Sequence, residues 1–162
     1  MILSQLAIPI GAVPINFTHV SIFMAAGLLG KKYGTISQVV FVLLGAFGVP
    51  VFTGFTGGIG VVIGPTGGFI VGYIACAFVT AFIAERLGTS VKALLLAMYA
   101  GWFATYLPGI VWFMLVTKTG LLAALLVCLV PFLLGDIIKT ILSAVLVNRL
   151  HVIIKQSIGE AA

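Results

Sequence analysis

The sequence predicts an all-α integral membrane protein, a six-helix transmembrane bundle forming one domain over residues 1–162. Three observations predict it. Of the 162 residues 62% are hydrophobic and 7% charged, where a soluble domain carries about 25% charged residues. Eight Lys or Arg and three Asp or Glu are too few to keep such a chain in water. The mean hydropathy is +1.35, and runs such as Leu121–Leu134 lack the in–out alternation of an outer-membrane barrel. The net charge of +5 does not indicate a nucleic-acid binder, because it arises from scarce acids rather than from a dense basic patch.

Elements follow from uninterrupted apolar length, since about 20 helical residues cross the hydrocarbon of a bilayer. The first run, residues 2–10, is too short to cross and ends at Pro9 and Gly11, so it reads as a shortened first helix. The next spans are expected at 17–29, ended by Gly30-Lys31-Lys32, and at 33–49, ended by Pro50. Thr53–Gly68 then holds seven Gly and a Pro and reads as a loop. A fourth span is expected at 69–86 and a fifth at 91–114, bent or ended by Pro108-Gly109. Residues 120–130 read as a short helix over the membrane face, and Pro131 suits the first turn of a last span at 132–150. No internal repeat supports an inverted-repeat transporter. No cleavable signal peptide is expected, because the first eleven residues lack a basic region and a small-residue cleavage site.

Charges orient the bundle. Lys31, Lys32, Arg86, Lys92, Arg149 and Lys155 fall on one side, and Lys118 on the other. The positive-inside rule makes the first side cytoplasmic, with both termini inside a multi-pass plasma-membrane protein. Pro9, Pro14, Pro50, Pro65, Pro108 and Pro131 map to the outward side with the Gly-rich loop. Irregular backbone at membrane depth is tolerated where it is buried in protein or lines a cavity, so the functional site is expected there.

Asp136 is the one acid inside a span, and Lys139 follows it on the same helix face. An intramembrane charge costs about 2.5–3.5 kcal/mol on insertion scales and tends to pair or to face a cavity. The pair is either a structural staple or a ligand contact, and its place beneath the Gly-rich loop favours the second. The loop glycines either let helices pack closely or leave backbone N–H groups, at Gly57 and Gly58 among others, to grip an anion or amide. It lacks the spacing of a nucleotide-binding loop. Phe52, Phe55, Tyr73, Trp102, Tyr106 and Trp112 flank it and are either interfacial belt residues or the walls of an apolar slot.

Catalysis is not expected. His19 and His151 stand far apart without a nearby carboxylate, and a single buried Asp cannot supply paired acid–base groups. Cys76 and Cys128 lie in apolar runs without metal or redox spacing and read as small fillers. Neither a metal nor a cofactor is implied.

The stretch Gly48-Val-Pro-Val-Phe-Thr-Gly-Phe-Thr-Gly-Gly-Ile-Gly-Val-Val-Ile-Gly-Pro-Thr-Gly-Gly-Phe-Ile-Val-Gly-Tyr73 resembles the signature of the BioY family. The segment Ala7–Ile15 is similar to that family's first outward turn, and Pro131–Lys139 to its last helix. The resemblance covers nearly the whole chain. It implies the substrate-binding (S) component of an energy-coupling factor (ECF) transporter for biotin, with a Gly-rich outward loop and, here, a shortened first helix. It further implies that Asp136 and Lys139 hold the ureido ring and that Thr56 touches the ligand. The fused rings would lie among the aromatics, and the valerate carboxylate near loop N–H groups or Lys118. Implied partners are biotin, membrane lipid, a transmembrane coupling subunit and two ATPases, since the chain has no Walker motif of its own. An S component for another vitamin, or a non-transport bundle with a structural Asp–Lys pair, are the alternatives.

Overall fold

A computed structural model describes residues 7, 8 and 15–159. Among these, six helices follow a minimal antiparallel strand pair, β1 (Ala7–Ile8) and β2 (Ile15–Asn16), with Ala7 opposite Asn16 and Ile8 opposite Ile15. Helix α1 is Thr18–Ala46, α2 Ile59–Ile63, α3 Gly67–Leu87, α4 Val91–Thr117, α5 Leu121–Cys128 and α6 Leu133–Gly159. The described part of the short first run is therefore extended rather than helical. Ile8 precedes Pro9, and a residue before proline is pushed out of the helical region towards extended backbone. The rest of that run, Pro9 included, lies outside the described residues, as do Pro14, Glu160 and the side chain of Lys155.

Three described helices are long and apolar enough to cross a membrane: α3 with 21 residues, α4 with 27, and Leu133–Ile154 of α6 with 22. At 1.5 Å per residue they extend about 30–40 Å, which exceeds the hydrocarbon core. Helix α1 covers the ranges expected for two spans, and its backbone leaves the helical conformation at Gly30, where the break between them was expected. Gly30 stands at φ 73°, ψ −177°, a conformation that a side chain would make strained. The turn reverses the chain at this one residue, and helix resumes at Lys31. Pro108 lies inside α4, which runs on to Thr117, just past the expected end at 114, so Pro108-Gly109 does not end the helix. Ser90 caps that helix, its Oγ accepting from Ala93 N–H at 3.3 Å.

Close approach of α3 to α4 forms the centre of the bundle. A Cβ on Gly72 would stand 3.0 Å from the Thr105 backbone, and one on Gly101 would meet Thr80 Oγ1 and the Cys76 carbonyl. Lipid tails are as apolar as leucine, so membrane helices associate through this kind of small-residue packing. Thr105 Oγ1 donates across the seam to Gly72 O at 3.4 Å. Large apolar side chains such as Leu107, Leu115 and Leu134 stay exposed on the outside, as a lipid-facing surface requires.

The bundle has two unlike ends. At one, Glu85 Oε1 accepts from Lys31 N–H at 2.6 Å, and Arg86 lies 4.4 Å from the Phe82 ring centroid. Asn148 Nδ2 donates to Thr89 O at 2.8 Å at the same end. The other end gathers the start of α1, the Gly-rich loop, the start of α3, the far half of α4 and the start of α6. Replacing Gly101 by Val should therefore destabilise the protein by about 1–3 kcal/mol, the usual range for overpacking. Gly60→Ala, where an added Cβ meets nothing within 4 Å, should be nearly neutral; thermal melting in detergent measures both.

Candidate functional site

At the irregular end lies a cavity of about 220 Å³, below the roughly 300–1,000 Å³ common for drug-sized ligands and suited to one compact molecule. Asp136 and Lys139 form its polar wall. Both are buried, 4% and 6% exposed, and Lys139 Nζ donates to Asp136 Oδ1 at 2.7 Å. Their position follows from α6: Asp136 sits in its first turn, where the positive end of the helix dipole favours a carboxylate. The three-residue spacing brings the ammonium back onto that carboxylate. The neighbouring hydroxyls serve the helix itself, Thr140 Oγ1 donating to Asp136 O and Ser143 Oγ to Lys139 O, each at 2.7 Å.

Helix α4 completes the carboxylate's shell. Trp102 Nε1 donates to Asp136 Oδ2 at 2.9 Å and Tyr106 OH to the same oxygen at 2.7 Å. The two rings are four residues apart on one helix face and lie 4.3 Å centroid to centroid. Asp136 thus accepts three protein hydrogen bonds, where a carboxylate offers about four lone-pair sites. This network offsets the burial of its charge.

The aromatic walls come from three further segments. Tyr73 and Phe69 of α3 line the cavity, and Phe69 meets Tyr106 edge to face at 5.6 Å. Phe41 of α1 lines it with Phe52, the two rings T-shaped at 5.6 Å. Phe17, just before α1, lies 5.9 Å from Lys139 Nζ, centroid to atom. Thr53, Thr56, Val61 and Thr66 supply the loop side.

Of the residues singled out in the sequence, Asp136, Lys139, Thr56, Phe52, Tyr73 and Tyr106 line this cavity. Trp102 stands behind Asp136 and holds it. Phe55, at a positive φ of 57°, is 70% exposed and outside the lining. Gly57 and Gly58 are also outside it. A Cβ on Gly57 would collide with the Val49 carbonyl, and Gly58 N–H donates to Gly45 O at 2.6 Å, so that donor is engaged within the protein. Further on, Gly67 and Gly68 pack against Trp112, which donates to Gly64 O at 3.0 Å. The loop glycines thus serve both turning and packing, and a short helix, α2, interrupts them. Lys118 ends α4 in a left-handed conformation, exposed and away from the cavity.

Sequence reasoning missed His19, Phe41 and Phe69, and treated Cys128 as filler although it lines the cavity. His19, read as remote from any carboxylate, shares the cavity with Asp136 and stacks near Tyr106 at 6.2 Å. No local pattern could pair residues 19 and 136.

The family model for the BioY family matches residues 1–156. A biotin transporter BioY from Thermotoga maritima is 39% identical over 145 residues, covering 90% of this chain and 85% of that protein. A probable biotin transporter BioY from Pyrococcus horikoshii is 33% identical over 148 residues, covering 91% and 86%. A crystal structure of the S-component for biotin from an ECF-type ABC transporter superposes with a TM-score of 0.86 at 37% identity, over 93% of this chain and 83% of that one.

Removing the carboxylate should expose its structural share. Asp136→Leu leaves the Lys139 ammonium, the Trp102 N–H and the Tyr106 hydroxyl without their shared acceptor, and should destabilise the fold by about 3–5 kcal/mol. Combining it with Lys139→Met should restore part of that loss, as read by thermal melting.

Proposed function

The chain belongs to the BioY family, and on that premise we propose that it captures biotin in the cavity between α1, α3, α4 and α6. It is a membrane-embedded transporter component rather than an enzyme, and biotin is its cargo, not a cofactor. The single observation that carries the site assignment is the buried Asp136–Lys139 pair set in an aromatic cavity of about 220 Å³.

The chemistry matches. A ureido ring presents two N–H donors and a carbonyl acceptor in one plane. The Asp136 carboxylate, accepting from Trp102, Tyr106 and Lys139, retains about one lone-pair site for a ligand N–H. The Lys139 ammonium, a compact cation with three donors, suits the carbonyl edge. Phe41, Phe52, Phe69, Tyr73 and Tyr106 supply flat apolar walls for the fused rings. Thr53 and Thr56 on the loop side suit the polar end of the valerate chain.

Release against a gradient needs an energy source, and the chain has no nucleotide-binding loop. We therefore place it with a transmembrane coupling subunit and two ATPases, which would reorient it in the bilayer to discharge biotin inside. The cavity end faces outward and the cationic end the cytoplasm in a multi-pass plasma-membrane protein. The separation of Lys31, Glu85 and Arg86 from the cavity supports that orientation. The β1–β2 pair at the cavity end sets Ala7 on the outward side, so the expectation of an inside N-terminus is not carried forward.

Titration of the purified protein with biotin, dethiobiotin and thiamine tests the reading. Trp102, hydrogen-bonded to Asp136, should report on the ring site, and Trp112, bonded to Gly64 O, on the loop. Saturable fluorescence change with biotin and none with thiamine is expected; a folded protein that ignores micromolar biotin overturns the reading. Asp136→Asn and Lys139→Ala should each weaken biotin by about 1.5–3 kcal/mol, the worth of a hydrogen bond to a charged group. Unchanged affinity in both would leave the pair as a staple.

A further inference from the structure

The cationic end of the bundle carries an arrangement that the cavity chemistry does not use. Lys31 follows the Gly30 turn in α1, Arg86 lies in the last turn of α3, and both stand against the ring of Phe82. Lys31 Nζ is 5.5 Å from the ring centroid and Arg86 Cζ 4.4 Å, within the roughly 6 Å over which an aromatic face attracts a cation. One turn nearer the middle of α3, Phe78 stacks on Phe82 at 6.0 Å with the ring planes 12° apart. Phe78 is 45% exposed, on the surface that meets lipid. With 21 residues α3 just crosses the hydrocarbon, so its last turn stands at headgroup depth.

Two cations from different helices thus share one ring, and neither has a carboxylate partner among the described residues, whose ion pair is Lys139–Asp136 at the other end. The neighbouring acid is directed elsewhere. Glu85 Oε1 accepts from Lys31 N–H at 2.6 Å, and Glu85 lines a crevice with Gly27, Gly30, Ala84 and His151. Lys31, Phe82 and Arg86 do not line that crevice. An anion at the Phe82 ring would meet an ammonium with three donors and a guanidinium whose planar fork matches two phosphate oxygens. At this depth the phosphate available is that of a phospholipid, and the exposed Phe78 ring continues the contact towards its acyl chains.

We propose that Lys31 and Arg86 clamp the phosphate of an anionic glycerophospholipid, with its chains along Phe82 and Phe78. A zwitterionic headgroup would bring its own ammonium up to two cations, so a net negative charge is selected. The bound lipid ties the turn in α1 to the end of α3, beside the Lys31–Glu85 bond. This rests on the membrane-embedded fold and is independent of what the cavity binds.

The test is native mass spectrometry of the detergent-purified protein with phosphatidylglycerol or phosphatidylcholine of the same acyl chains. One phosphatidylglycerol per chain should be retained in preference to phosphatidylcholine. Lys31→Gln and Arg86→Gln should each weaken it about fivefold, the effect of one basic residue beside an anionic headgroup. Lys92→Gln removes the same charge from an exposed position at the start of α4, and should change the affinity little. Phe82→Leu keeps apolar contact for the chains but removes the ring that gathers the cations, and should weaken the lipid by a similar factor. Phosphatidylglycerol should also raise the melting temperature of the unmodified protein more than that of the variant carrying both Lys31→Gln and Arg86→Gln.

Equal losses in Lys92→Gln and Lys31→Gln overturn the proposal, because they reveal attraction to the whole cationic end. Equal retention of phosphatidylcholine overturns it as well. Displacement of the lipid by inorganic phosphate alone also does so, since the occupant would then be a soluble anion.

Discussion

The Asp136 carboxylate is the constraint on which the rest of the site depends. A charge at this depth is tolerated only when donors surround it, and three donors from two helices meet to provide them. Lys139 comes from one turn along the same helix, and Trp102 and Tyr106 from α4. The bonds fix the rotation of α4 against α6, and hence which aromatic faces reach the cavity. Phe69 then seats against Tyr106, and Tyr73 follows one turn further along α3. The polar wall and the apolar walls are therefore products of one network, in which the ligand's donors meet a carboxylate already held in place.

Close helix packing makes that network possible. The α3–α4 seam admits backbone contact at Gly72 and Gly101, which draws Tyr73 and Tyr106 to the same side. Gly109 does the same for Phe69, whose ring occupies the space a side chain there would fill. Small residues on α4 thus decide where aromatic residues on α3 can stand. In lipid, where burial of apolar surface gives no net drive between helices, this steric fit and the few interhelical hydrogen bonds carry the association.

Much of the fold was legible because membrane insertion writes it in composition: long apolar runs, punctuated by glycine, proline and lysine, mark the helices. The Asp136–Lys139 pair was legible for the same reason, since an acid in an apolar run stands out. What the sequence hid depended on contacts between distant segments. Nothing near residue 19 indicates that His19 shares a cavity with Asp136. Phe55 and Phe52 look equivalent in the Gly-rich stretch, yet the bridge that pairs Phe52 with Thr56 turns one ring inward and leaves the other exposed. Gly30 and Pro108 act differently: Gly30 interrupts the helix at a single residue, as expected from the sequence, whereas Pro108 is absorbed within a continuous helix.

The two ends of the bundle differ in how they are closed, and that difference bears on how a cargo enters. Away from the cavity, polar bonds join segments remote in sequence: Lys31 N–H to Glu85, Asn148 to Thr89 O, and His151 Nε2 to Gly27 O at 2.7 Å. They tie α1, α3 and α6 together. Over the cavity, the bonds among the described residues include local ones, Phe52 N–H to Thr56 O at 3.0 Å, Thr56 Oγ1 to Thr53 O at 3.0 Å and Val51 N–H to Val49 O at 2.8 Å. Gly58 N–H to Gly45 O and Trp112 Nε1 to Gly64 O reach further along the chain. The donors to Asp136, by contrast, all come from α4 and α6 themselves. The polar wall is therefore held by the helices and not by the loop, so the carboxylate and its donors are in place before a cargo meets them.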